Sequence, residues 1–599
     1  MPSHDATQGL TAKRRWWFRL SAMVAVPLLV LLLAEGLLRL AGYGYPTGFF
    51  KRGDIEGQLV WTDNHDFGRR FFPPGLARRP HCFSIPLVKP PKTVRIFVLG
   101  GSAAMGDPDF KFGLPQMLDV LLRERFPDVH FEVVNGAMVA INSNVVLPIA
   151  RDCARHDGDL WVIYMGNNEM VGPFGSVTVF GAQAPSLPII RATLAMKRTR
   201  LGQFLGAALY FLRHGDHPLP KWEGMEMMAN LTVRYNSRAT AAVYRHFRRN
   251  LTDILKTGVR AHVPIVLCTV ATNLKDCAPF ASLHRRDLAE VDREEWKGAY
   301  DEGVGWQNQG EPAKAEAAYE RAARIDPQFA DLAFRQGQCC HLLGRNAEAA
   351  KFFRQARDED ALQFRADDRI NDIIRLAAAS FAGRGVSLLD AEELFAANST
   401  NRLTGDNYFY EHVHLRPSGN FLLARAVAGN VAKALNLQST RPWLSRAECF
   451  RLAGLTDWNR YDDLSVILDR IEHPPFTPQS NHTSQLRLIS SQRSRYLPAT
   501  KPAEVRREAA ELAALVNKYP QDAELRWNLA GLLENAGQGE AAAEQWRTLM
   551  RLQPQSALPA FNLAKLLDQL GRPAQALSLY RQSRRIDPEY YERHYAAGL

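Results

Sequence analysis

The chain has 599 residues, 46% of them apolar, and a formal net charge of +11. Since one domain takes roughly 150 residues, this length predicts several domains. The Lys and Arg residues are spread along the sequence and form no basic run interleaved with aromatic residues, so we expect no nucleic-acid partner. The seven cysteines form no C-x-x-C pair. Apart from one bridge that the spacing of Cys268 and Cys277 would permit, this pattern favours buried thiols over a disulfide framework or a zinc site.

An apolar segment near the N-terminus is long enough to cross a bilayer. Residues 20–34 are uncharged, and the apolar character then continues with interruptions only at Glu35 and Arg39. A crossing helix needs about 20 residues, so we expect a membrane anchor over 19–42, behind a cytoplasmic tail formed by residues 1–18. The basic residues that precede the anchor predict a cytoplasmic N-terminus and a periplasmic or extracellular remainder. A cleaved signal peptide is the alternative, but no A-x-A cleavage site follows the segment.

Two predicted strands end in small residues. Residues 93–99 read T-V-R-I-F-V-L, which is typical of a buried strand, and Gly100, Gly101 and Ser102 follow. Open α/β folds bind ligands at the carboxyl ends of their strands. Residues 131–134 form a similar strand that leads into Asn135 and a run of small residues. A phosphate loop is the alternative for the first turn, but the turn lacks the Gly-Lys-Ser/Thr that such a loop contains.

Two later segments add an amide and a carboxylate beside an imidazole. Residues 160–165 are a predicted strand that ends at Gly166-Asn167-Asn168-Glu169, which puts the Asn168 amide where a strand meets a loop. Glu411 and His414 are three positions apart, so the carboxylate can orient the imidazole in a turn or at a helix start. His412 is a rival base, but it has no carboxylate at that spacing.

The residues between these segments are predicted to be mainly helical. Residues 201–212 read L-G-Q-F-L-G-A-A-L-Y-F-L, which is too short to span a bilayer. A buried core helix is the default interpretation of this run, and a lid over the site or a helix against the membrane are the alternatives. Residues 263–270 are predicted to form another buried parallel strand.

Two parts of the chain repeat with a period of 34 residues. In the first part Gly303 recurs as Gly337, while Tyr319 and Phe353 fill one position for a large side chain. The second part repeats Asn528 as Asn562, Leu529 as Leu563, Gly537 as Gly571, and Pro520 as Pro554 and Pro588. This period resembles the tetratricopeptide family, whose helical hairpins stack on one shared core. We expect inserted repeats over 290–361 and a C-terminal helical and repeat domain over 441–599, which present a surface to a protein partner or serve only as packing scaffold.

The serine, small-residue, amide and histidine segments, in this order, resemble the SGNH (GDSL-like) hydrolase superfamily. The resemblance implies an α/β fold with a flavodoxin-like parallel sheet sandwiched by helices, built from 90–285 and 362–440 and joined to the anchor by a connecting segment, 43–89. It also implies a nucleophile at Ser102, a base at His414 and a carboxylate partner at Glu411. An α/β-hydrolase is the competing serine fold, but its G-x-S-x-G elbow is missing here.

The resemblance further implies an oxyanion hole formed by the Asn168 amide and the backbone N–H groups of Ser102 and Ala140. Three positions depart from the family pattern. Gly101 stands where the family often has Asp, Ala140 stands at the glycine position of the second segment, and Glu411 replaces Asp in the triad. The backbone N–H of Ala140 remains available unless the position requires a positive φ.

These features imply serine-dependent ester hydrolysis or acyl transfer through an acyl-enzyme at Ser102. The expected substrate is an acylated glycan, lipid or small molecule of the cell envelope or the extracellular space. Hydrolases and transferases would share every residue named and differ only in whether water or a hydroxyl attacks the acyl group. The alternative is a catalytically inactive SGNH and tetratricopeptide scaffold that recruits envelope partners, and the three departures motivate it. Neither function requires a metal or a cofactor.

Overall fold

The computed structural model of the protein describes residues 12–215 and 220–595, and the chain divides into two units. One unit comprises Met1–Thr47 and Ser186–Leu219, and the other comprises Gly48–Pro185 and Pro220–Leu599. The strands are β1 Phe50–Ile55, β2 Gln58–Asp63, β3 Ser84–Pro86, β4 Thr93–Gly100, β5 His130–Asn135, β6 Leu160–Tyr164, β7 Ile265–Cys268 and β8 Val386–Leu389. The α-helices are α1 Ala12–Leu40, α2 Ser102–Met105, α3 Leu114–Arg125, α4 Ser143–Cys153, α5 Leu187–Met196, α6 Arg200–His214, α7 Arg238–Arg260, α8 Glu290–Asn308, α9 Pro312–Ile325, α10 Ala330–Leu342, α11 Asn346–Asp358, α12 Asp368–Ser380, α13 Ala391–Ala397, α14 Pro417–Ala434, α15 Arg446–Leu452, α16 Asp457–Ile471, α17 His482–Tyr496, α18 Pro502–Lys518, α19 Ala523–Asn535, α20 Gly539–Leu552, α21 Ala557–Gln569, α22 Pro573–Ile586 and α23 Pro588–Tyr595.

The first unit contains α1, α5 and α6. Within α1, the stretch Arg19–Leu40 is 22 residues long, and its most apolar part is not buried in the protein. By length and composition this stretch is able to cross a membrane, and it is consistent with a single-pass anchor or a signal sequence. Residues 1–11 of the predicted cytoplasmic tail lie outside the described residues, and α1 already begins at Ala12.

A five-stranded parallel sheet forms the centre of the second unit, as the sequence predicts. The strands lie in the order β5-β4-β6-β7-β8, so that the first strand in the chain lies between the second and the third. The chain leaves β4 toward β5 on one side and leaves β6 toward β7 on the other, so the switch point of the sheet lies between the carboxyl ends of β4 and β6. Strand β4, which has a neighbour on each side, is fully buried from Ile96 to Leu99 because its near-continuous apolar run can be covered on both faces.

Two groups of helices cover this sheet. Helix α3 packs against α14, while α4 packs against α7 and α7 against α12. Members of each group also contact strands, with α3 against β5, α14 against β7 and β8, α4 against β4, and α12 against β7 and β8. This is the sandwich that a parallel sheet requires, because helical crossovers lie on its faces.

The connecting segment predicted over 43–89 is folded. Strands β1, β2 and β3 form an antiparallel sheet with β2 in the centre. Phe49, Phe67 and Phe71 are buried beneath it, and the first two rings meet edge to face with their centroids 5.2 Å apart. Sequence reasoning missed this sheet because its strands are short and half exposed.

The inserted repeats are two helical hairpins, α8 with α9 and α10 with α11, and α9 packs against α10. The glycine that recurs after 34 residues lies where the two helices of each hairpin approach. A Cβ at Gly303 would lie 2.4 Å from the Tyr319 ring, and one at Gly337 would lie 2.8 Å from the Phe353 ring. Each large ring is fully buried against its glycine, which explains why the two positions recur together.

The C-terminal region is entirely helical in the described residues. Helices α18 to α22 pack each on the next, around a core that includes Leu529, Trp546 and Leu563. The polar stretch before them, residues 476–503, is not an extended linker, because α17 forms within it and packs on α16.

The apolar run 201–212 departs from the default interpretation of a buried core helix. It lies in α6, which belongs to the first unit with α1 and not to the sheet-containing unit. Only Gly202 and Gln203 of the run are buried.

Candidate active site

The structure brings the predicted serine, histidine and glutamate together. Ser102 begins α2 directly after β4, and its Oγ lies 2.8 Å from Nε2 of His414. On the other side of the ring, Nδ1 of His414 contacts Oε1 of Glu411. All three side chains are at least nine-tenths buried. With a proton on Nδ1 donated to Glu411, Nε2 is left to accept the hydroxyl proton of Ser102.

The loop that carries His414 is held by its own backbone and by one asparagine. Phe409 and Leu415 form an antiparallel bridge, and the backbone N–H of Tyr410 donates to the His414 carbonyl at 2.9 Å. The Asn273 side chain, which follows β7, donates to the Glu411 carbonyl at 2.8 Å, and its backbone N–H donates to the His412 carbonyl at 3.0 Å. This role of Asn273 was not predicted, because no motif in the sequence distinguishes it from other loop amides.

The charges around His414 favour its protonated form. Burial opposes protonation, but the carboxylates of Glu411 and Asp107 outweigh it and hold the pKa of His414 above its ordinary value of 6.5. Burial alone would raise the pKa of Glu411, yet the imidazoles of His412 and His414 hold that pKa well below its ordinary value. Glu411 is therefore an anion that can stabilise a developing imidazolium.

Arg470, from α16, completes this network. Its Nη2 donates to Oδ1 of Asp107 at 2.6 Å, and its Nη1 lies 3.0 Å from Nδ1 of His414 and 3.3 Å from Oε1 of Glu411. Neither Asp107 nor Arg470 was predicted as a site residue. Asp107 lies only five residues after Ser102, but Arg470 belongs to the region predicted as a C-terminal helical domain, where nothing in the sequence points to the serine.

His412, the rival base, occupies a different place. Its Nδ1 contacts Oε2 of Glu411, and burial lowers its pKa. Its ring packs edge-on against Phe280, Phe364 and Phe476. Among the described residues it forms no hydrogen bond with Ser102, so the geometry favours His414 as the base.

The residues of the three predicted oxyanion donors, Asn168, Ala140 and Ser102 itself, line one cavity. The Asn168 amide donates to the Ile141 carbonyl at 3.1 Å, which leaves its second N–H available. Ala140 has a φ of 58°, the left-handed conformation that glycine adopts most readily. This explains why a glycine is expected at that position, and Ala140 adopts the conformation nonetheless. In the part of the chain that the structure describes, the backbone N–H groups of Ser102 and Ala140 donate to no protein acceptor.

The departure at Gly101 has a steric reason. A Cβ built at Gly101 would lie 2.9 Å from Nδ2 of Asn168, closer than real Cβ atoms approach a neighbour. The glycine therefore gives the Asn168 amide its room beside Ser102. Glu169, the next residue, has a structural contact instead, because it accepts hydrogen bonds from the backbone N–H and the hydroxyl of Ser143, both at 2.8 Å.

Ser102 and His414 line a cavity of about 450 Å³. Its walls come from the sheet loops, from residues 222–228, and from the C-terminal region at 466–476. The apolar side chains in this wall are Val139, Ala140, Val171, Phe180, Trp222, Met225, Met228, Phe364, Val466, Pro474 and Phe476. Outside the triad and its network, the wall also carries Glu223, Glu226, Asp469 and His473.

The comparisons with known proteins concern the repeats. A tetratricopeptide repeat family model matches residues 300–363 and 532–591. The chain contains tetratricopeptide repeats. These segments fall on α8 to α11 and on α19 to α23, which confirms the repeats predicted from the 34-residue period. No curated protein sequence matches the chain.

Several solved structures resemble part of the chain. YrrB, a tetratricopeptide protein with an unusual peptide-binding site, is 12% identical with a TM-score of 0.16, over 52% of this chain and 95% of its own. PilF of Pseudomonas aeruginosa is 15% identical with a TM-score of 0.15, and the match covers 51% of this chain and 100% of the PilF chain. The TPR2AB domain of yeast Sti1 is 11% identical with a TM-score of 0.15, and the match covers 51% of this chain and 96% of the Sti1 chain. Scores this low carry no conclusion about function. The family-model matches lie outside the strands of the parallel sheet, so the SGNH resemblance stays a prediction from the sequence.

Proposed function

We propose that the chain is a membrane-anchored serine esterase or acyltransferase of the SGNH kind. The observation that carries the proposal is the 2.8 Å contact between the Ser102 hydroxyl and the His414 ring, whose far nitrogen contacts a buried Glu411. Further support comes from the strand order 2-1-3-4-5, which puts Ser102 and Asn168 at the carboxyl ends of neighbouring strands, beside the switch point.

The chemistry follows from these positions. His414 Nε2 takes the hydroxyl proton of Ser102 while Oγ attacks the carbonyl carbon of an ester, a proton transfer typically worth about 10²–10⁴-fold in rate. The carbonyl oxygen becomes an oxyanion that Asn168 and the backbone N–H groups of Ser102 and Ala140 stabilise. The ester C–O bond then breaks, the leaving alcohol takes the proton from His414, and an acyl group remains on Ser102. Water or a hydroxyl acceptor attacks this acyl-enzyme by the same steps in reverse.

The cavity indicates which half of the substrate it holds. About half of its lining side chains are aliphatic or aromatic, and such surfaces favour an apolar group, while most of the others are polar or charged. We therefore assign the acyl group of an acylated glycan, lipid or small molecule to this cavity, with the alcohol part directed outward. Besides the triad, the Asn168 amide and the Arg470 network, the polar residues of the wall include Glu223, Glu226, Asp469 and His473, which the alcohol part of the substrate would meet.

Helix α1 supports a location for the reaction outside the cytoplasm. An apolar helix of sufficient length supports a single-pass anchor, and the basic residues before it support a cytoplasmic N-terminus. In that orientation all residues of the site lie on the periplasmic or extracellular side of the membrane.

A second candidate function is a scaffold that recruits protein partners, with the serine site inactive. The comparisons back this candidate more directly than they back the enzyme, because the family-model matches fall on the repeats. Stacked helical repeats commonly present an extended binding surface. The Gly101, Ala140 and Glu411 departures from the SGNH pattern also favour it.

Ester hydrolysis by the full-length protein in detergent separates the two candidates. We expect turnover of a short-chain p-nitrophenyl ester, lost in Ser102→Ala and in His414→Ala, and unchanged in Ser418→Ala, whose hydroxyl donates to the Asn407 carbonyl instead. Circular dichroism would check that each variant is folded. Full activity in Ser102→Ala would overturn the enzyme proposal, and a folded wild-type protein with no turnover on any chain length would favour the scaffold.

A further inference from the structure

Helix α6 leaves an unusual amount of apolar surface uncovered. Five of its large apolar side chains are 45–80% exposed: Phe204, Leu205, Leu209, Phe211 and Leu212. Its partner α5 exposes Ile189 and Met196 to a similar degree. A helix that is apolar on almost every side is normally buried in a core or in a membrane. Contiguous exposed apolar surface of this kind marks a surface that something covers.

The start of α6 is fastened to the end of α1. The Glu35 carboxylate accepts a hydrogen bond from the backbone N–H of Leu201 at 2.8 Å, so it caps the first turn of α6. The Gln203 side chain binds both backbone groups of Tyr45, accepting at 3.0 Å and donating at 3.2 Å. The Tyr43 and Phe204 rings meet edge to face with centroids 5.6 Å apart.

These contacts fix the level of α6 relative to a membrane. Glu35 lies within Arg19–Leu40, the stretch able to cross a bilayer, and near its C-terminal end. Since the apolar surface of α1 is uncovered up to this point, the exposed surfaces of α1 and α6 adjoin. A lipid environment that covers one would extend over the other.

The length and ends of α6 suit a helix that lies in a membrane without crossing it. The uncharged run 201–212 is about 18 Å long, short of the roughly 30 Å hydrocarbon thickness. Arg198 and Arg200 stand before it and Arg213 after it. Basic residues at the ends of an apolar helix favour the headgroup level of an anionic leaflet.

We propose that the hairpin of α5 and α6 inserts its exposed apolar side chains into the outer leaflet of the membrane that α1 crosses. The partner is thus the lipid acyl phase. The hairpin fixes the first unit to the bilayer at a second place beside the anchor. The inference rests on the anchor in the proposed function and is independent of the serine chemistry.

Collision measurements on spin labels would test this in the full-length protein in lipid nanodiscs. Cys82→Ser would remove the one partly exposed thiol, because the other six cysteines are buried. Single labels would then be placed at Leu209→Cys on α6, at Leu32→Cys on α1, and at Leu577→Cys on α22, a leucine that is likewise half exposed. Leu212→Cys is the second α6 position if the first variant fails to fold.

The expected result is that labels at 209 and 32 collide with oxygen more than with a water-soluble nickel chelate, while the label at 577 shows the reverse. The proposal would be overturned if the label at position 209 collided with the nickel chelate as often as the label at 577 does, while the label at 32 stayed in lipid. That result would leave the anchor unaffected. Protection of 209 from both reagents would also overturn the proposal, because a second copy or another protein would then cover the hairpin. Access of the nickel chelate to the label at position 32 would contradict both the anchor and the hairpin proposal. None of these outcomes bears on the serine chemistry, which the p-nitrophenyl ester assay tests separately.

Discussion

Gly101→Ala is a small change that tests the oxyanion hole without removing any group from it. The backbone at Gly101 has a φ of −92°, outside the left-handed region, so alanine introduces no conformational strain there. Its new methyl group would lie 2.9 Å from Nδ2 of Asn168, and ordinary contact begins at 3.4 Å. The amide must therefore retreat by about 0.5 Å, which is the tolerance within which a productive site holds its groups.

The loss expected from this retreat is bounded by known effects. Removing one oxyanion donor lowers kcat by about 10²–10³-fold. Because the amide in Gly101→Ala is displaced but present, we expect kcat to fall by about 10- to 100-fold, with KM little changed. Asn168→Ala, which removes the amide altogether, should lower kcat by more than Gly101→Ala does.

The assay is steady-state hydrolysis of the p-nitrophenyl ester by four proteins: wild type, the two single variants and the double variant. If both substitutions act on the same donor, Gly101→Ala should add nothing once Asn168 is alanine. Gly531→Ala, a helix position with open space around it, is the control and should keep full kcat. Unchanged kcat in Gly101→Ala, or losses that simply multiply in the double variant, would refute this role for the Asn168 amide.

Three further predictions follow from the site and the repeats. His414 acts as a base only when it is neutral, and its pKa is raised. We therefore expect kcat/KM to rise with pH through a midpoint above 6.5. A midpoint below that value would contradict the assignment of His414 as the base. Arg470→Met should move this midpoint to higher pH, because it removes the cation that opposes protonation of His414. It should also lower the free energy of unfolding by about 1–3 kcal/mol, because it leaves Asp107 without its ion-pair partner. Arg470→Lys should restore the midpoint in part. Gly303→Ala should destabilise the inserted repeats by about 1–3 kcal/mol in urea unfolding, since its methyl group meets a buried ring, whereas Gly305→Ala, with nothing within 4 Å, should not.

Much of the fold could be predicted because its signals are local. The strand predicted before Ser102 is a short apolar run that ends at glycine, and the structure places β4 there. The 34-residue period led to the helical hairpins because Gly303 and Tyr319 must recur together for two helices to touch. Periodicity and strand ends reflect contacts between residues that are near in sequence or regularly spaced.

Contacts between distant segments could not be predicted. Arg470 reaches His414 from a helix 56 residues later, and a single arginine on an ordinary amphipathic helix carries no sign of that contact. The membership of α6 in the first unit depends on the Glu35 and Tyr45 contacts, which no run of apolar residues reveals. Such positions are set by tertiary packing, and tertiary packing leaves no period in the sequence.

In the proposed function, Ser102 is a nucleophile activated by His414. A fluorophosphonate probe tests this directly, since it forms a covalent bond only with an activated serine, and mass spectrometry of peptides from the labelled full-length protein identifies the residue modified. We expect a single adduct on the peptide that contains Ser102, absent in Ser102→Ala and formed much more slowly in His414→Ala. A folded protein that forms no adduct, or one that labels equally well without His414, would contradict it.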